Sequence, residues 1–160
     1  MRLSEYLQPR FVLLGLETTG VEDTLRAFVE RVAETHAVEQ PGVVEKALLD
    51  RESSHTTSLG NGVALPHATV PGLDRPMILV GVAPNGVTFG STATPPAGVP
   101  AQDRLFFVLL SPLNQAGTHI KLLARIVRLV RDPDFVESLL TAETGEQLIE
   151  AIERVDAQHV

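Results

Sequence analysis

Cysteine and tryptophan are both absent from this chain of 160 residues, and aromatic side chains make up only 4% of it. The lack of cysteine excludes disulfides, thiolate metal ligands and cysteine nucleophiles within the chain. The shortage of aromatic rings leaves few platforms on which a base or a sugar could stack. The chemistry of the chain must therefore rest on its other side chains.

A basic stripe is missing as well. The formal net charge is -7, and lysine and arginine are scattered without a cluster of four or more. Nucleic-acid-binding proteins usually carry such a stripe, so we expect no nucleic-acid partner. The longest apolar run, Met77 to Ala83, is far too short to span a bilayer, and the amino terminus lacks a signal-type core. We expect a cytoplasmic protein without direct membrane insertion.

The composition that remains is typical of one globular domain over residues 1–160. Hydrophobic residues make up 44% of the chain and charged residues 21%, which allows a substantial core. Neither an internal repeat nor a long linker divides the chain. Residues 89–101 are rich in Gly, Pro, Ser and Thr and predict a long surface loop.

Strands are predicted wherever apolar residues run continuously. A first strand is expected at 10–16 and buried strands at 77–83 and 105–110, with a short extended segment at 63–65. These runs are separated by segments with helical periodicity, which favours an α/β domain with helices on both faces of a sheet.

Helical spacing supplies the remaining elements. One helix is expected after Thr19 as N-cap, with Glu22 in the capping-box position, and a second begins at Pro41. Shorter helices are predicted at 134–140 and 146–155. The strongest pattern follows residue 119: its predicted inner face holds Ile120, Leu123, Ile126, Val127 and Val130. Its predicted basic outer face holds Lys121, Arg125, Arg128 and Arg131.

Residues 51–67 gather side chains that suit phosphate chemistry. Arg51 offers a guanidinium that can hold a phosphoryl group through two parallel hydrogen bonds. The alternative is a helix C-terminal arginine that complements the helix dipole. Thr56 and Thr57 offer hydroxyls, which makes them candidates for a phosphate cradle.

Glycines in the same stretch allow two interpretations. Gly60 and Gly62 let backbone amides approach an anion closely, or they simply form an Asn-Gly hairpin turn. The segment is neither a P-loop nor G-x-G-x-x-G, so we expect no bound nucleotide and no other cofactor.

The sharpest candidate for catalysis is His67, which directly follows Pro66 and its fixed φ. A neutral imidazole is a good nucleophile near pH 7 and can attack a phosphoryl donor to form a phosphoramidate. The alternative is a hydrogen-bonded surface or core histidine. A second imidazole, His119, lies ahead of the strongest helix and could support a phosphoryl group on His67. Its spacing alone favours a solvated first-turn residue.

Metal chemistry finds less support. His55, His67 and His119 could in principle ligate zinc, but no pair has i, i+4 spacing and no H-E-x-x-H motif occurs. We therefore expect no metal site. As a candidate for phosphate chemistry, His55 is weaker than His67 and His119.

One ordered motif resembles a known family. The chain is similar here to the phosphohistidine motif of fructose/mannitol-type enzyme IIA domains of the phosphoenolpyruvate-dependent sugar phosphotransferase system, which nitrogen-regulatory enzyme IIA proteins share. The matching residues are Arg51-Glu52, Thr56-Thr57 and Gly60-x-Gly62-x-Ala64-x-Pro66-His67. The likeness covers nearly the whole chain, from Leu3-Ser4-Glu5-Tyr6-Leu7 to His119-Ile120-Lys121-Leu122-Leu123.

The resemblance implies specific roles. His67 matches the phosphorylated histidine, and Arg51 and His119 match the arginine and second histidine that help to bind the phosphoryl group. The implied fold is a mixed β-sheet flanked by helices. The implied donor is HPr or a related phosphocarrier, and the implied acceptor is a cysteine of an enzyme IIB domain.

Two roles stay open under the resemblance: sugar transport, or regulation in which the phosphorylation state governs binding to a regulatory target protein. A degenerate domain is disfavoured, since Arg51, His67 and His119 are all present. Two departures from the family pattern stand out. Ser58 replaces the usual glycine. The segment 90–101 is longer than the usual turn, and we expect its tip to alter which partner docks.

Overall fold

The computed structural model describes residues 1–89 and 102–159. The surface loop predicted from residue 89 onward therefore falls outside the described residues, except for its first member. Phe89 is only 1% exposed, and its ring packs edge-on against Phe106 with centroids 5.1 Å apart. Assigning Phe89 to a surface loop was wrong, because burying a ring of this size contributes about 1.5–3 kcal/mol.

A mixed sheet of five strands forms the centre of the described structure. The strands are Val12–Leu13 (β1), Val63–Ala64 (β2), His67–Val70 (β3), Met77–Val87 (β4) and Asp103–Pro112 (β5). β4 and β5 are a long antiparallel pair. β1 runs parallel to β4, and β2 and β3 follow each other along the far edge of β5, both parallel to it.

Helices cover both faces of this sheet. One face carries Val21–Glu34 (α1) and Pro41–Ser54 (α2), and the other carries Ala116–Leu129 (α3), Pro133–Leu140 (α4) and Gly145–Asp156 (α5). Successive residues of β5 alternate between the two cores, as Phe106 and Phe107 show. The predicted α/β fold with a mixed sheet between helical layers is confirmed. Within the described residues no helix is long and apolar enough to cross a membrane.

Two predicted boundaries at the start of the chain differ from the structure. The strand expected at 10–16 is confined to β1, because Pro9–Phe11 forms a 3-10 turn. The N-cap of α1 is Gly20, one residue after the predicted Thr19, and the capping carboxylate is that of Asp23. It accepts hydrogen bonds from the backbone N–H groups of Thr19 and Gly20, both at 2.8 Å, which lower the pKa of Asp23.

Helix α3 is rotated relative to its predicted orientation. Ile120, predicted to be inside, is 65% exposed, whereas Arg125, predicted to be outside, is only 9% exposed. Arg125 pairs with Asp156 of α5, and the same carboxylate accepts a 2.7 Å hydrogen bond from the backbone N–H of Leu3. A buried ion pair from a distant helix thus overrides the apolar pattern.

Candidate active site

Three of the predicted site residues meet at one open pocket of about 290 Å³. Arg51 comes from the last turns of α2, His67 is the first residue of β3, and His119 belongs to the first turn of α3. The remaining lining residues are Ala47, Ala68 and Thr69. Elements on both faces of the sheet therefore contribute to a single site at its edge.

His67 owes its placement to the interruption between β2 and β3. Pro66 breaks the strand there, and its carbonyl still accepts a 3.0 Å hydrogen bond from the N–H of Leu109 on β5. The Nδ1 atom of His67 lies 2.7 Å from the carbonyl oxygen of Leu65. Because a carbonyl only accepts, Nδ1 carries the proton of the neutral ring, and Nε2 keeps the lone pair.

The surroundings of His67 favour its neutral form. Burial lowers the pKa of the imidazole below its usual 6.5, and the nearby positive charge of Arg51 lowers it further. The hydrogen bond to Leu65 and the negative charge of Glu52 act in the opposite direction without cancelling the shift. His67 is therefore a neutral imidazole at pH 7, which is the nucleophilic form.

His119 is buried, with 8% of its surface exposed, in contrast to the solvated residue that its spacing alone favoured. Its Nδ1 lies 2.6 Å from the hydroxyl oxygen of Ser111 at the end of β5. The ring centroid is 5.6 Å from that of His67, and the two rings are tilted by 53°. Burial lowers the pKa of His119, and so does the charge of His67 when it is protonated.

Arg51 is half-buried at the pocket, and its Nη1 donates a 2.9 Å hydrogen bond to the carbonyl oxygen of His55. Within residues 1–89 and 102–159 it forms no ion pair with a carboxylate. Its charge is thus not neutralised by the described protein groups. The ring of His55 contacts the carbonyl of Thr56 and does not line the pocket, so His55 serves Arg51 through its backbone.

The two threonines proposed as a phosphate cradle do not reach this pocket. The N–H and hydroxyl of the buried Thr57 donate to the carboxylate of Glu52, both at 2.6 Å. The hydroxyl of Thr56 accepts from the N–H of Ser58 at 3.2 Å, and Thr56 lines a different pocket together with Phe89. The structure therefore does not bring the two cradle candidates, Thr56 and Thr57, to the pocket of His67, and Glu52 accepts the hydrogen bond of the Thr57 hydroxyl.

The glycines of the same stretch form a turn. Gly60 has φ 87° and Gly62 has φ 85°, and Leu59 N–H donates to Val63 O at 2.8 Å across them. Both φ values lie in the left-handed region, where glycine meets no steric penalty. The hairpin-turn interpretation of Gly60 and Gly62 therefore applies.

Glu52 is a buried residue that the sequence motif contains but to which the sequence analysis gave no role. Only 7% of it is exposed, and it lies on the inner face of α2. The signal was available: Val44, Leu48 and Glu52 follow one another at intervals of four residues, which places a carboxylate in line with two core residues.

Ser58, the departure from the family pattern, has a specific partner. Its hydroxyl lies 3.0 Å from Oδ1 of Asp103, a fully buried residue at the start of β5. Burial raises the pKa of Asp103, the Ser58 hydrogen bond lowers it, and the charge of Glu52 raises it again. Among the described residues, no group of three or more His, Asp or Glu side chains is arranged to hold a metal ion.

Comparison with known proteins gives consistent matches in sequence. The family model described as "Phosphoenolpyruvate-dependent sugar phosphotransferase system, EIIA 2" matches residues 5–155. A nitrogen regulatory protein of Bradyrhizobium diazoefficiens is 30% identical over 148 residues, which is 92% of this chain and 92% of that protein.

Solved structures share the fold. The nitrogen regulatory protein IIA-Ntr of Neisseria meningitidis superposes with a TM-score of 0.81 at 24% identity, over 93% of this chain and 97% of that one. The enzyme IIAMTL in its complex with phosphorylated enzyme IIBMTL from Escherichia coli gives a TM-score of 0.73 at 24% identity, over 92% and 97% of the two chains.

Proposed function

Because the chain belongs to the EIIA 2 family of the phosphoenolpyruvate-dependent sugar phosphotransferase system, we propose that it carries a phosphoryl group on Nε2 of His67 between two protein partners. One observation carries this assignment. The N–H of Nδ1 donates a hydrogen bond to Leu65 O at 2.7 Å. The nucleophilic lone pair of the neutral ring is therefore on Nε2, in a pocket shared with Arg51 and His119.

The proposed transfer needs no proton movement at His67. The Nε2 lone pair forms a bond to phosphorus while the bond between phosphorus and the donor breaks, and its electron pair leaves with the donor. The ring gains positive charge as the new bond forms. The hydrogen bond from Nδ1–H to Leu65 O strengthens at the same time, since charge-assisted hydrogen bonds are stronger than neutral ones.

Arg51 and His119 supply the charge stabilisation that phosphoryl transfer requires. Negative charge is spread over the transferred oxygens, and catalysis consists mainly of positioning and electrostatic stabilisation. In our proposal the guanidinium of Arg51 binds these oxygens. With its Nδ1 accepting from the hydroxyl of Ser111, the imidazole of His119 donates an Nε2–H hydrogen bond to a phosphoryl oxygen.

The proposed partners are a phosphocarrier of the HPr type as donor and a cysteine-bearing enzyme IIB domain as acceptor, all acting in the cytoplasm. The family description supports the pathway class. The Escherichia coli complex of IIAMTL with phosphorylated IIBMTL supports the acceptor class, because a protein of the same fold is seen with such a partner.

Regulation is the second candidate function. The 30% identity over nearly the full length of a nitrogen regulatory protein favours it. In this alternative, the phosphoryl group on His67 governs binding to a regulatory target protein and is not passed rapidly to an enzyme IIB domain.

Intact-mass spectrometry tests the assignment. The protein is incubated with phosphoenolpyruvate, enzyme I and HPr, and we expect the mass of one added phosphoryl group. His67→Ala should abolish this adduct. His55→Ala should retain it, because that substitution keeps the backbone carbonyl that binds Arg51. An adduct on His67→Ala, or none on the unsubstituted chain, contradicts the proposal.

A second step separates the two roles. Adding a purified enzyme IIB domain to the phosphorylated protein should discharge the phosphoryl group within the mixing time if the role is sugar transport. Retention of the phosphoryl group with enzyme IIB present favours the regulatory role.

A further inference from the structure

A continuous series of hydrogen bonds leads from Glu52 on α2 to the ring of His67. From it we propose that Glu52 is a positioning residue. Glu52 holds Thr57, at the start of the 57–65 hairpin, and thereby fixes the carbonyl of Leu65, at the end of the hairpin, which selects the tautomer of His67. This inference rests on the proposed function, since the tautomer decides which nitrogen is nucleophilic.

The series begins with the buried carboxylate. Each oxygen of Glu52 accepts one hydrogen bond from Thr57, one from its N–H and one from its hydroxyl, both at 2.6 Å. No cation lies within ion-pair distance of Glu52 in the described part of the chain. Burying an unpaired carboxylate is costly. Here two charge-assisted hydrogen bonds, both donated by Thr57, offset that cost.

Hydrogen bonds across the hairpin connect the anchored Thr57 to Leu65 at the other end. The carbonyl of Thr57 accepts a 3.1 Å hydrogen bond from the N–H of Leu65, and Ser58 lies opposite Ala64 in antiparallel pairing. Leu65 itself is only 4% exposed, and its carbonyl accepts the 2.7 Å hydrogen bond from Nδ1 of His67. One residue, Leu65, therefore joins Thr57 through its N–H and His67 through its carbonyl.

The position of Glu52 in the chain connects this series of hydrogen bonds to the proposed function. Glu52 directly follows Arg51, so the residue that anchors the nucleophile's strand and the proposed phosphoryl ligand share the last turns of α2. Any displacement of this helix relative to the hairpin would move Arg51 and the Leu65 carbonyl apart. Phosphoryl transfer depends on such relative placement, because small misplacements strongly reduce the rate.

Two substitutions separate hydrogen bonding from charge at this position. Glu52→Gln removes the charge but keeps both bonds: its amide oxygen accepts from Thr57 N–H, and its amide nitrogen donates to the Thr57 hydroxyl. Glu52→Ala removes both bonds. Glu45→Ala is the matched control, because Glu45 lies on the same helix and pairs with Arg26 at 3.2 Å, away from the hairpin.

The decisive measurement is the nitrogen NMR spectrum of His67 in the full, unphosphorylated chain at a pH where the ring is neutral. We expect the proton on Nδ1 in the unsubstituted chain, in Glu52→Gln and in Glu45→Ala. In Glu52→Ala we expect a clear population with the proton on Nε2, together with a fall of about tenfold in the rate of phosphorylation. Reduced stability alone would not change the tautomer of the folded molecules.

Other outcomes overturn the inference. It is wrong if His67 in Glu52→Ala keeps its proton on Nδ1, or if Glu52→Gln behaves like Glu52→Ala, since charge would then be the cause. Should Glu52→Ala fail to fold, Thr57→Val removes one of the two bonds and should still shift the tautomer. Because the spectrum needs no donor, the inference can fail or hold separately from the proposed phosphotransfer.

Discussion

The rings of His67 and His119 lie 5.6 Å apart, each anchored through Nδ1, one to the carbonyl of Leu65 and the other to the hydroxyl of Ser111. We expect His119→Ala to slow phosphorylation of His67 about 10- to 100-fold, because a preorganised group beside the developing charge is lost. Ser111→Ala, which only releases the ring, should have a smaller effect. Single-turnover rates measure both, and a rate for His119→Ala equal to that of the unsubstituted chain would contradict this role.

Acid should inactivate the nucleophile only at a pH below that of an ordinary histidine. Burial and the charge of Arg51 lower the pKa of His67 beneath 6.5, so the ring stays neutral as the pH falls towards that value. The rate of phosphorylation should be level from about pH 8 to 6.5 and fall at lower pH. In Arg51→Ala the NMR titration midpoint of His67 should move upward, because a lowering charge is removed. A midpoint at or above 6.5 in the unsubstituted chain would refute the expectation.

Arg51 should not be replaceable by lysine without loss. A lysine keeps the charge but lacks the planar fork that matches phosphoryl oxygens, and it cannot reproduce both that contact and the bond to His55 O. We expect Arg51→Lys to lower the phosphorylation rate about tenfold and Arg51→Ala to lower it further. Lys46→Ala, on an exposed ion pair of the same helix, is the control and should leave the rate unchanged. Equal rates for Arg51→Lys and the unsubstituted chain would exclude a bidentate role.

The layered fold was predictable because strand and helix periodicities are local properties of the chain. The buried strand at 105–110, which lies within β5, and the start of α2 at Pro41 needed no knowledge of distant residues. Arg125 shows the limit of prediction from such local patterns. Its helical spacing placed it on the outer face, and only Asp156, far along the chain, turns that position inward. Long-range pairs of this kind leave no periodic trace.

The site divides along the same line. His67 and Arg51 stood out because their motif is compact, and the structure brings both to one pocket with His119. The burial of His119 could not be predicted from its spacing, since it depends on how α3 lies on β5. The bonding of the Thr57 hydroxyl was not readable for a related reason: its partner Glu52 is reached only when the chain turns back on α2.

Asp103 should weaken the fold at neutral pH. Burial raises the pKa of this carboxyl above its ordinary 3.8, so between 3.8 and the raised value the native state binds more protons than the unfolded chain. This contribution to stability is therefore present at low pH and lost as the pH rises. We expect Asp103→Asn to increase the free energy of unfolding at pH 7 by about 1 kcal/mol, with less effect near pH 4.

Urea denaturation at the two pH values measures the effect of Asp103→Asn. Ser58→Ala is the companion variant: it removes the hydroxyl at 3.0 Å from Asp103 and should destabilise the fold at pH 7 more than at pH 4. A loss of stability in Asp103→Asn at pH 7 would show that the ionised carboxylate is required.

The ion pair between Arg125 and Asp156 should respond very differently to single and double substitution. Asp156→Ala takes the carboxylate away from a buried guanidinium, which keeps its hydrogen bond to the backbone carbonyl of residue 156, and it removes the acceptor of the Leu3 N–H, so we expect a loss of about 3–5 kcal/mol. The double variant Arg125→Met with Asp156→Leu fills the space with apolar groups and should recover the part of that loss that comes from the unpaired charge, while the Leu3 N–H still lacks its acceptor. Lys46→Ala, which breaks an ion pair whose side chains are 76% and 66% exposed, should change the stability far less, because solvent screens exposed ion pairs. Urea denaturation of these variants decides the matter: a double variant as unstable as Asp156→Ala would mean that the ion pair itself, and not the avoidance of an unpaired buried charge, holds α3 to α5.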